Sequence, residues 1–210
     1  MSHPFEISNF KKAYFLGIGG IGMSALARYF NQLGWEIAGY DKTPSALTDA
    51  LMNEGIEVHF DDLGSELPFA FNNPKDTLVV YTPAIPKNMG ELIHVQQKDY
   101  PLLKRAEVLG MITRSMKGLG VAGTHGKTTT STMLAHILHS SSQKCSAFLG
   151  GIATNFESNL VVDITSPWVV IEADEFDRSF LQLSPFASII TSVDPDHLDI
   201  YGSHEEFHKG

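Results

Sequence analysis

The stretch Val121-Ala122-Gly123-Thr124-His125-Gly126-Lys127-Thr128-Thr129-Thr130 restricts the possible folds more than any other, because an apolar run leads into it and a helix-forming run leads out. Strand, glycine turn carrying Lys-Thr, then helix is the order of a phosphate-binding loop. Gly123 and Gly126 allow the tight turn in which successive backbone N–H groups surround phosphate oxygens. Lys127 offers a positive charge to β- and γ-phosphates, and the Thr128 hydroxyl reaches a bound Mg²⁺. Thr124, His125 and Thr129 are the remaining candidate nucleotide contacts of the loop, where His125 either shapes the turn or contacts substrate. A helix beginning near Lys127 adds its N-terminal partial positive charge at the same point. The strict pattern has Gly at position 121, where this chain has Val, so the loop is a variant. A glycine-rich turn capped by Thr is the competing reading.

A second glycine cluster lies near the start. The apolar run 13–18 reads as a buried strand, Gly17-Ile18-Gly19-Gly20-Ile21-Gly22 follows it, and 23–30 has the apolar spacing of a helix. Residues 35–40 form a second strand pattern ending at Asp41, 19 residues past Gly22. Glycines for a tight turn, a helix N-terminus for a diphosphate and a carboxylate for a ribose hydroxyl make up a dinucleotide-type fingerprint. Gly19, Gly20, Ile21, Gly22 and Asp41 are thus candidate nucleotide-diphosphate contacts. The pattern does not say which nucleotide: an NAD(P)-dependent oxidoreductase is one reading of the first 41 residues, though it leaves the Lys127 loop unexplained.

The alternation continues with a helix expected at 45–53, strands at 56–60 and 77–81, a helix at 91–98 and a strand at 102–103. Such alternation implies a parallel sheet with helices on both faces, a Rossmann-like α/β domain. Thr82-Pro83-Ala84-Ile85-Pro86 leaves the C-terminal end of a strand, the edge where open α/β sheets take ligands; its two prolines serve equally well as a rigid turn. Residues 105–116 read as a connecting helix and Lys117-Gly118 as a hinge. The boundary then separates a domain at 1–117 from the first part of a P-loop α/β domain at 118–210. In the latter, 120–122 is the strand before the phosphate loop and 128–139 its helix. The apolar strand 168–172 ends at Glu172, where a phosphate loop needs a Mg²⁺-binding carboxylate. Asp174, Glu175 and Asp177 follow it. A further buried strand is expected at 187–193, delivering Asp194, Asp196, His197 and Asp199. His197 is a candidate second metal ligand or phosphate contact. His136 and His139 read as structural.

Composition excludes several functions. The formal net charge of −9 gives no electrostatic footprint for nucleic acid or an anionic membrane, so phosphate binding has to be local. Cys145 is the only cysteine, which forbids an intrachain disulfide and a cysteine metal cluster and suits a reducing cytoplasm. No apolar run approaches the roughly 20 residues that span a bilayer, and residues 1–6 carry no signal-peptide pattern.

In combination these motifs resemble the Mur ligase family, the ATP-dependent amide-forming ligases of bacterial peptidoglycan synthesis, along essentially the whole chain. Residues 123–129, Gly-Thr-His-Gly-Lys-Thr-Thr, are similar to the family's Gly-Thr-x-Gly-Lys-Thr/Ser loop. His at the variable place is typical of members acting on UDP-N-acetylmuramate, both the alanine-adding and the tripeptide-recycling kind. The stretches 17–27, 172–180 and 194–201 look more like the alanine-adding members. Phe176 stands where the family usually has Ser. The resemblance implies that the first domain holds a UDP-sugar through Gly19, Gly20, Ile21, Gly22, Asp41, Thr82, Pro83 and Ala84, and that the second binds ATP and Mg²⁺. Lys127, Glu172 and His197 would then be catalytic, with Thr128, Glu172 and His197 at the metals. It also implies a C-terminal domain completing the L-alanine site, so the chain reads as a fragment. A non-catalytic nucleotide-sensing module is the remaining alternative.

Overall fold

The computed structural model describes residues 7–173 and 181–194. Its contacts separate into two compact units that part between Val108 and Leu109.

In the first unit, β1 (Lys12–Leu16), α1 (Ile21–Gln32), β2 (Glu36–Tyr40), α2 (Ala46–Asn53), β3 (Glu57–His59), β4 (Thr77–Tyr81), α3 (Gly90–Gln97) and β5 (Leu102–Lys104) succeed one another. The strands lie in the order β3-β2-β1-β4-β5, and every pairing is parallel. Such a sheet is buried on both faces, which explains why β1 and β4 read as unbroken apolar runs. On one side α1 buries Met23, Leu26 and Phe30, with Phe30 stacked on Trp35 at 4.5 Å between ring centroids. Tyr14, Leu16, Val79, Leu92 and Val95 fill the other side. Ser45 caps α2 by accepting the Thr48 N–H while Thr48 Oγ1 accepts the Ser45 N–H, so two orphan donors of the helix end are met. Arg28, buried in α1, is neutralised by Glu54 through contacts of 2.8–2.9 Å.

The helix α4 (Arg105–Arg114) leads into the second unit, which contains β6 (Lys117–Ala122), α5 (Lys127–Ser140), β7 (Ser146–Ala153), β8 (Ser158–Val161), β9 (Trp168–Glu172) and β10 (Ala187–Ile190). The order is β10-β6-β9-β7-β8, with β7 and β8 antiparallel and the other pairs parallel. Ala135, Cys145, Ala147, Leu149 and Val170 form its core between α5 and the sheet.

Three expectations change. Lys117 and Gly118 do not form a hinge: they pair with Trp168 and Val169 inside β6, and α4 stops at Arg114. The β7–β8 hairpin has no counterpart in the sequence reading. The strand expected at 187–193 is shorter, and its residues are exposed, because among the described residues β10 is an edge strand paired on one side by β6. No helix among the described residues is long and apolar enough to cross a membrane.

Candidate functional site

In the first unit, the turn after β1 is held shut by β2. Gly17 and Ile18 donate to the Tyr40 carbonyl at 2.8 and 2.9 Å. Gly17 has φ +89°, and a Cβ on it would lie 2.7 Å from Thr82 Cγ2, so glycine is needed both for conformation and for the approach of the 82–84 loop. Thr82, Pro83 and Ala84 are therefore at the same sheet edge as the glycine turn. Asp41 accepts the Gly19 N–H at 2.8 Å with one carboxylate oxygen and the Thr43 N–H at 3.1 Å with the other. Its first role is to fix the turn. Gly20 and Ile21 open α1, whose first-turn N–H groups face the end of the sheet as a diphosphate site requires. Gly22 is covered by Arg105: a Cβ there would come within 2.8 Å of Nη1. Arg105 thus carries a cation to this helix end, a residue that the sequence reading left in a connecting helix.

In the second unit, β6 delivers the phosphate loop and α5 begins at Lys127, with Gly126 at φ +80° as the preceding left-handed residue. Gly123 has φ +122°, and a Cβ on it would sit 2.3 Å from Thr191 Oγ1 and 2.8 Å from the Ser192 backbone. Lys127 Nζ arches back over the loop, donating to the carbonyls of Gly123 at 2.8 Å and Thr124 at 3.3 Å. Glu172, at the end of β9, accepts from Thr128 Oγ1 at 3.0 Å and from the Gly150 N–H at 3.0 Å; Ser131 Oγ lies 3.4 Å from it and gives its proton to the nearer Thr128 carbonyl at 3.1 Å. The structure brings Thr128 and Glu172 together across 44 residues of sequence. Hydroxyl and carboxylate oxygens at one point form a hard-donor set suited to Mg²⁺, which keeps several waters and takes phosphate oxygens for the rest. Among the described residues no group of three or more His, Cys, Asp or Glu side chains gathers for a metal. His197, Asp174, Glu175, Phe176, Asp177, Asp196 and Asp199 lie outside the described residues.

His125 and Thr129 are exposed at the loop and helix start. The His125 backbone is bound on both sides: its N–H donates to Ser192 Oγ at 3.0 Å, and its carbonyl accepts from Thr191 Oγ1 at 2.5 Å. Thr124 donates its N–H to the Ser192 carbonyl and its hydroxyl to the Asp194 carbonyl. His136 bonds Asn155 and His139 packs edge-on to Phe156, in keeping with a structural role. Cys145 is buried against the Ala135 carbonyl, and burial pushes its thiol up to about 11, which removes it as a nucleophile at neutral pH.

Sequence reasoning missed Gly150, Ser131, Thr191 and Ser192. For Gly150 a signal existed: two adjacent glycines in an apolar run mark a close backbone approach, here by the Glu172 carboxylate, which a Cβ would meet at 2.4 Å.

The geometry has counterparts among known proteins. The profile of the Mur ligase family, catalytic domain, matches residues 12–117, and that of the Mur ligase middle domain matches 121–209. A UDP-N-acetylmuramate–L-alanine ligase from Porphyromonas gingivalis is 58% identical over 197 residues, covering 94% of this chain and 43% of that protein. One from Parabacteroides distasonis is 55% identical over 204 residues, covering 97% and 44%. Among solved structures, the UDP-N-acetylmuramate-alanine ligase of Thermotoga maritima superposes with a TM-score of 0.83 at 32% identity, over 94% of this chain and 45% of that one. A UDP-N-acetylmuramate:L-alanyl-γ-D-glutamyl-meso-diaminopimelate ligase from Neisseria meningitides gives 0.84 at 26%, over 95% and 66%. The chain thus spans less than half the length of the curated relatives named here. With both profiles laid end to end over its two units, the chain belongs to the Mur ligase family.

Proposed function

We propose that this chain carries the UDP-sugar-binding part (1–117) and the first portion of the ATP-binding part (118–210) of a cytoplasmic ligase that joins L-alanine to UDP-N-acetylmuramate. The observation that carries the reading is the convergence of Lys127, Thr128 and Glu172 on one phosphate loop. That loop calls for a nucleoside triphosphate in the second unit, and the Gly17–Asp41 turn offers a separate diphosphate site in the first. Among the solved structures the UDP-N-acetylmuramate-alanine ligase stands at 32% identity against 26% and 27% for the two peptide ligases, and the curated relatives named as L-alanine ligases reach 58%, so the alanine reaction is favoured.

The chemistry follows from a difficulty with the substrate. A carboxylate repels an incoming amine and its oxygen is a poor leaving group. Transfer of the γ-phosphoryl group of ATP to that carboxylate gives an acyl phosphate. Attack by the L-alanine amine then forms the amide and releases phosphate. The transfer needs positioning and charge neutralisation more than covalent help. Lys127, swung from its loop carbonyls, neutralises the β- and γ-phosphates, and the first-turn N–H groups of α5 bind their oxygens. Thr128 and Glu172 would hold Mg²⁺, which supplies Lewis-acid neutralisation of phosphate charge. The base that frees the amine is not identified among these residues.

The test is ADP release by the chain extended with the remainder of its protein. Release should require UDP-N-acetylmuramate and L-alanine together; ATP turnover indifferent to both would overturn the reading.

A further inference from the structure

The loop leaving β10 does more than lie beside the phosphate loop. It holds it through the Thr124 N–H on the Ser192 carbonyl, the Thr124 hydroxyl on the Asp194 carbonyl, the His125 N–H on Ser192 Oγ, and Thr191 Oγ1 on the His125 carbonyl. Thr191 Oγ1 also lies 3.1 Å from the Ala122 carbonyl, but that carbonyl already receives the Thr191 N–H at 3.0 Å. The single hydroxyl proton therefore goes to the His125 carbonyl, the shorter contact.

Peptide planarity turns these contacts into aim. In a trans peptide the carbonyl and the N–H point in opposite directions, and the described residues contain no cis bond. Holding the His125 carbonyl on the Thr191 side faces the Gly126 N–H away from Thr191, into the loop. Holding the His125 N–H on Ser192 faces the Thr124 carbonyl the other way, and that carbonyl is where Lys127 Nζ rests at 3.3 Å. Each hydroxyl thus fixes one peptide plane of the loop: one aims an amide and the other seats the lysine.

Resting on the ATP reading of this loop, we infer that Thr191 and Ser192 are positioning residues for nucleotide phosphate binding. Thr191 acts by orienting the Gly126 amide toward phosphate oxygen, and Ser192 by orienting the carbonyl that parks Lys127. Gly123 is required for the same reason, since any side chain on it would displace both residues.

The experiment is MgATP titration of the chain extended with the remainder of its protein, followed by calorimetry and by the ¹H–¹⁵N resonance of Gly126. In the unsubstituted chain the Gly126 amide proton moves downfield as it bonds phosphate. Thr191→Val keeps shape and removes the hydroxyl, so it should weaken binding about tenfold, the factor for one lost charge-assisted hydrogen bond, and abolish the Gly126 shift. Thr191→Ser restores both. Ser192→Ala should weaken binding while leaving the Gly126 shift in place, because it acts through a different peptide plane. Tenfold weakening with an intact shift in Thr191→Val, unchanged binding in that variant, or failure of Thr191→Ser to rescue, each overturns the inference. No MgATP binding by the unsubstituted chain overturns the ATP reading itself and the inference with it.

Discussion

Glu172 is bound to two donors that a metal ion would compete with. The Thr128 hydroxyl and the Gly150 amide donate to its carboxylate. For Mg²⁺ to load, the Thr128 hydroxyl has to turn its proton away and present a lone pair, while the Gly150 N–H goes on holding the carboxylate in place. Glu172→Gln keeps the shape and removes the charge. It should lower Mg²⁺-dependent ATP affinity by at least about tenfold, since a neutral amide is a much weaker hard-cation ligand, with little change in melting temperature. Calorimetry with and without Mg²⁺ measures this; an unchanged Mg²⁺ dependence would remove Glu172 from the metal site. Gly150→Ala should produce the same loss by a steric route, because its Cβ would enter the space of the carboxylate, 2.4 Å from Oε1. The carboxylate then swings away from Thr128. The same loss from both variants shows that the site needs both the charge and its position. Asp41 fixes its turn without exhausting its acceptors: each oxygen already accepts a backbone N–H, and carboxylate oxygens retain lone pairs that a ribose hydroxyl could use.

Helix α3 begins on a polar cluster, exposed at Asp62 and buried at Glu91 and Tyr14, with its own pH dependence. Asp62 accepts the N–H groups of Gly90, Glu91 and Gly64; burial pushes its carboxyl up, but these donors prevail and its pKa is lowered. Glu91, fully buried, accepts the Leu63 N–H and the Tyr14 hydroxyl, and Tyr14 also lies 2.6 Å from His59 Nε2. Burial raises the Glu91 pKa above its ordinary 4.5 in spite of those donors. The folded state therefore holds a proton on Glu91 more tightly than the unfolded chain does. That contribution to stability is complete below about pH 4.5 and is lost as pH rises through the raised folded value. Asp62 has the opposite sign, losing its contribution as pH falls below its ordinary 3.8. Glu91→Gln should abolish the decline in stability on the alkaline side of pH 4.5, as read from urea midpoints across pH 4–8. The amide fits: its oxygen accepts from Leu63, its NH₂ donates to Tyr14, and Tyr14 donates to His59. A decline that persists in the variant assigns it to another group. Elements of this kind were legible in outline because apolar runs and glycine turns are local. The parallel pairing of the first unit, the strand–turn–helix around Gly123–Lys127 and a strand ending at Glu172 followed from strand–turn–helix grammar. Two kinds of feature did not. The exposure of β10 depends on its edge position in the sheet, which its apolar sequence does not record. The Thr191–His125 and Ser192–His125 contacts join residues 66 and 67 positions apart, and no spacing rule connects them.

At the scale of the molecule, each of two sheets carries its own core and its own nucleotide-type turn. Two glycine loops of similar grammar differ in one decisive group. The first has no lysine in its turn and a carboxylate at the end of β2, while the second has Lys127 at the helix start and a carboxylate at the end of β9. The first arrangement suits a diphosphate joined to a ribose; the second suits a triphosphate with a metal. A ligand that binds only the folded state stabilises it by RT ln(1 + [L]/Kd), about 2.7 kcal/mol at one hundred times Kd. For a unit of roughly a hundred residues that corresponds to a rise of about 10 °C or more in melting temperature. UDP-N-acetylmuramate and MgATP should each produce such a rise. Lys127→Ala should abolish the MgATP effect, because the phosphate charge loses its partner, and leave the UDP-sugar effect intact, because Lys127 has no part in the Gly17–Gly22 turn. Loss of both effects in a folded variant would show that the two turns do not serve separate ligands. NADH in place of the UDP-sugar completes the comparison: stabilisation by NADH alone would make the first turn a dinucleotide site, and stabilisation by the UDP-sugar alone would assign it to the ligase substrate.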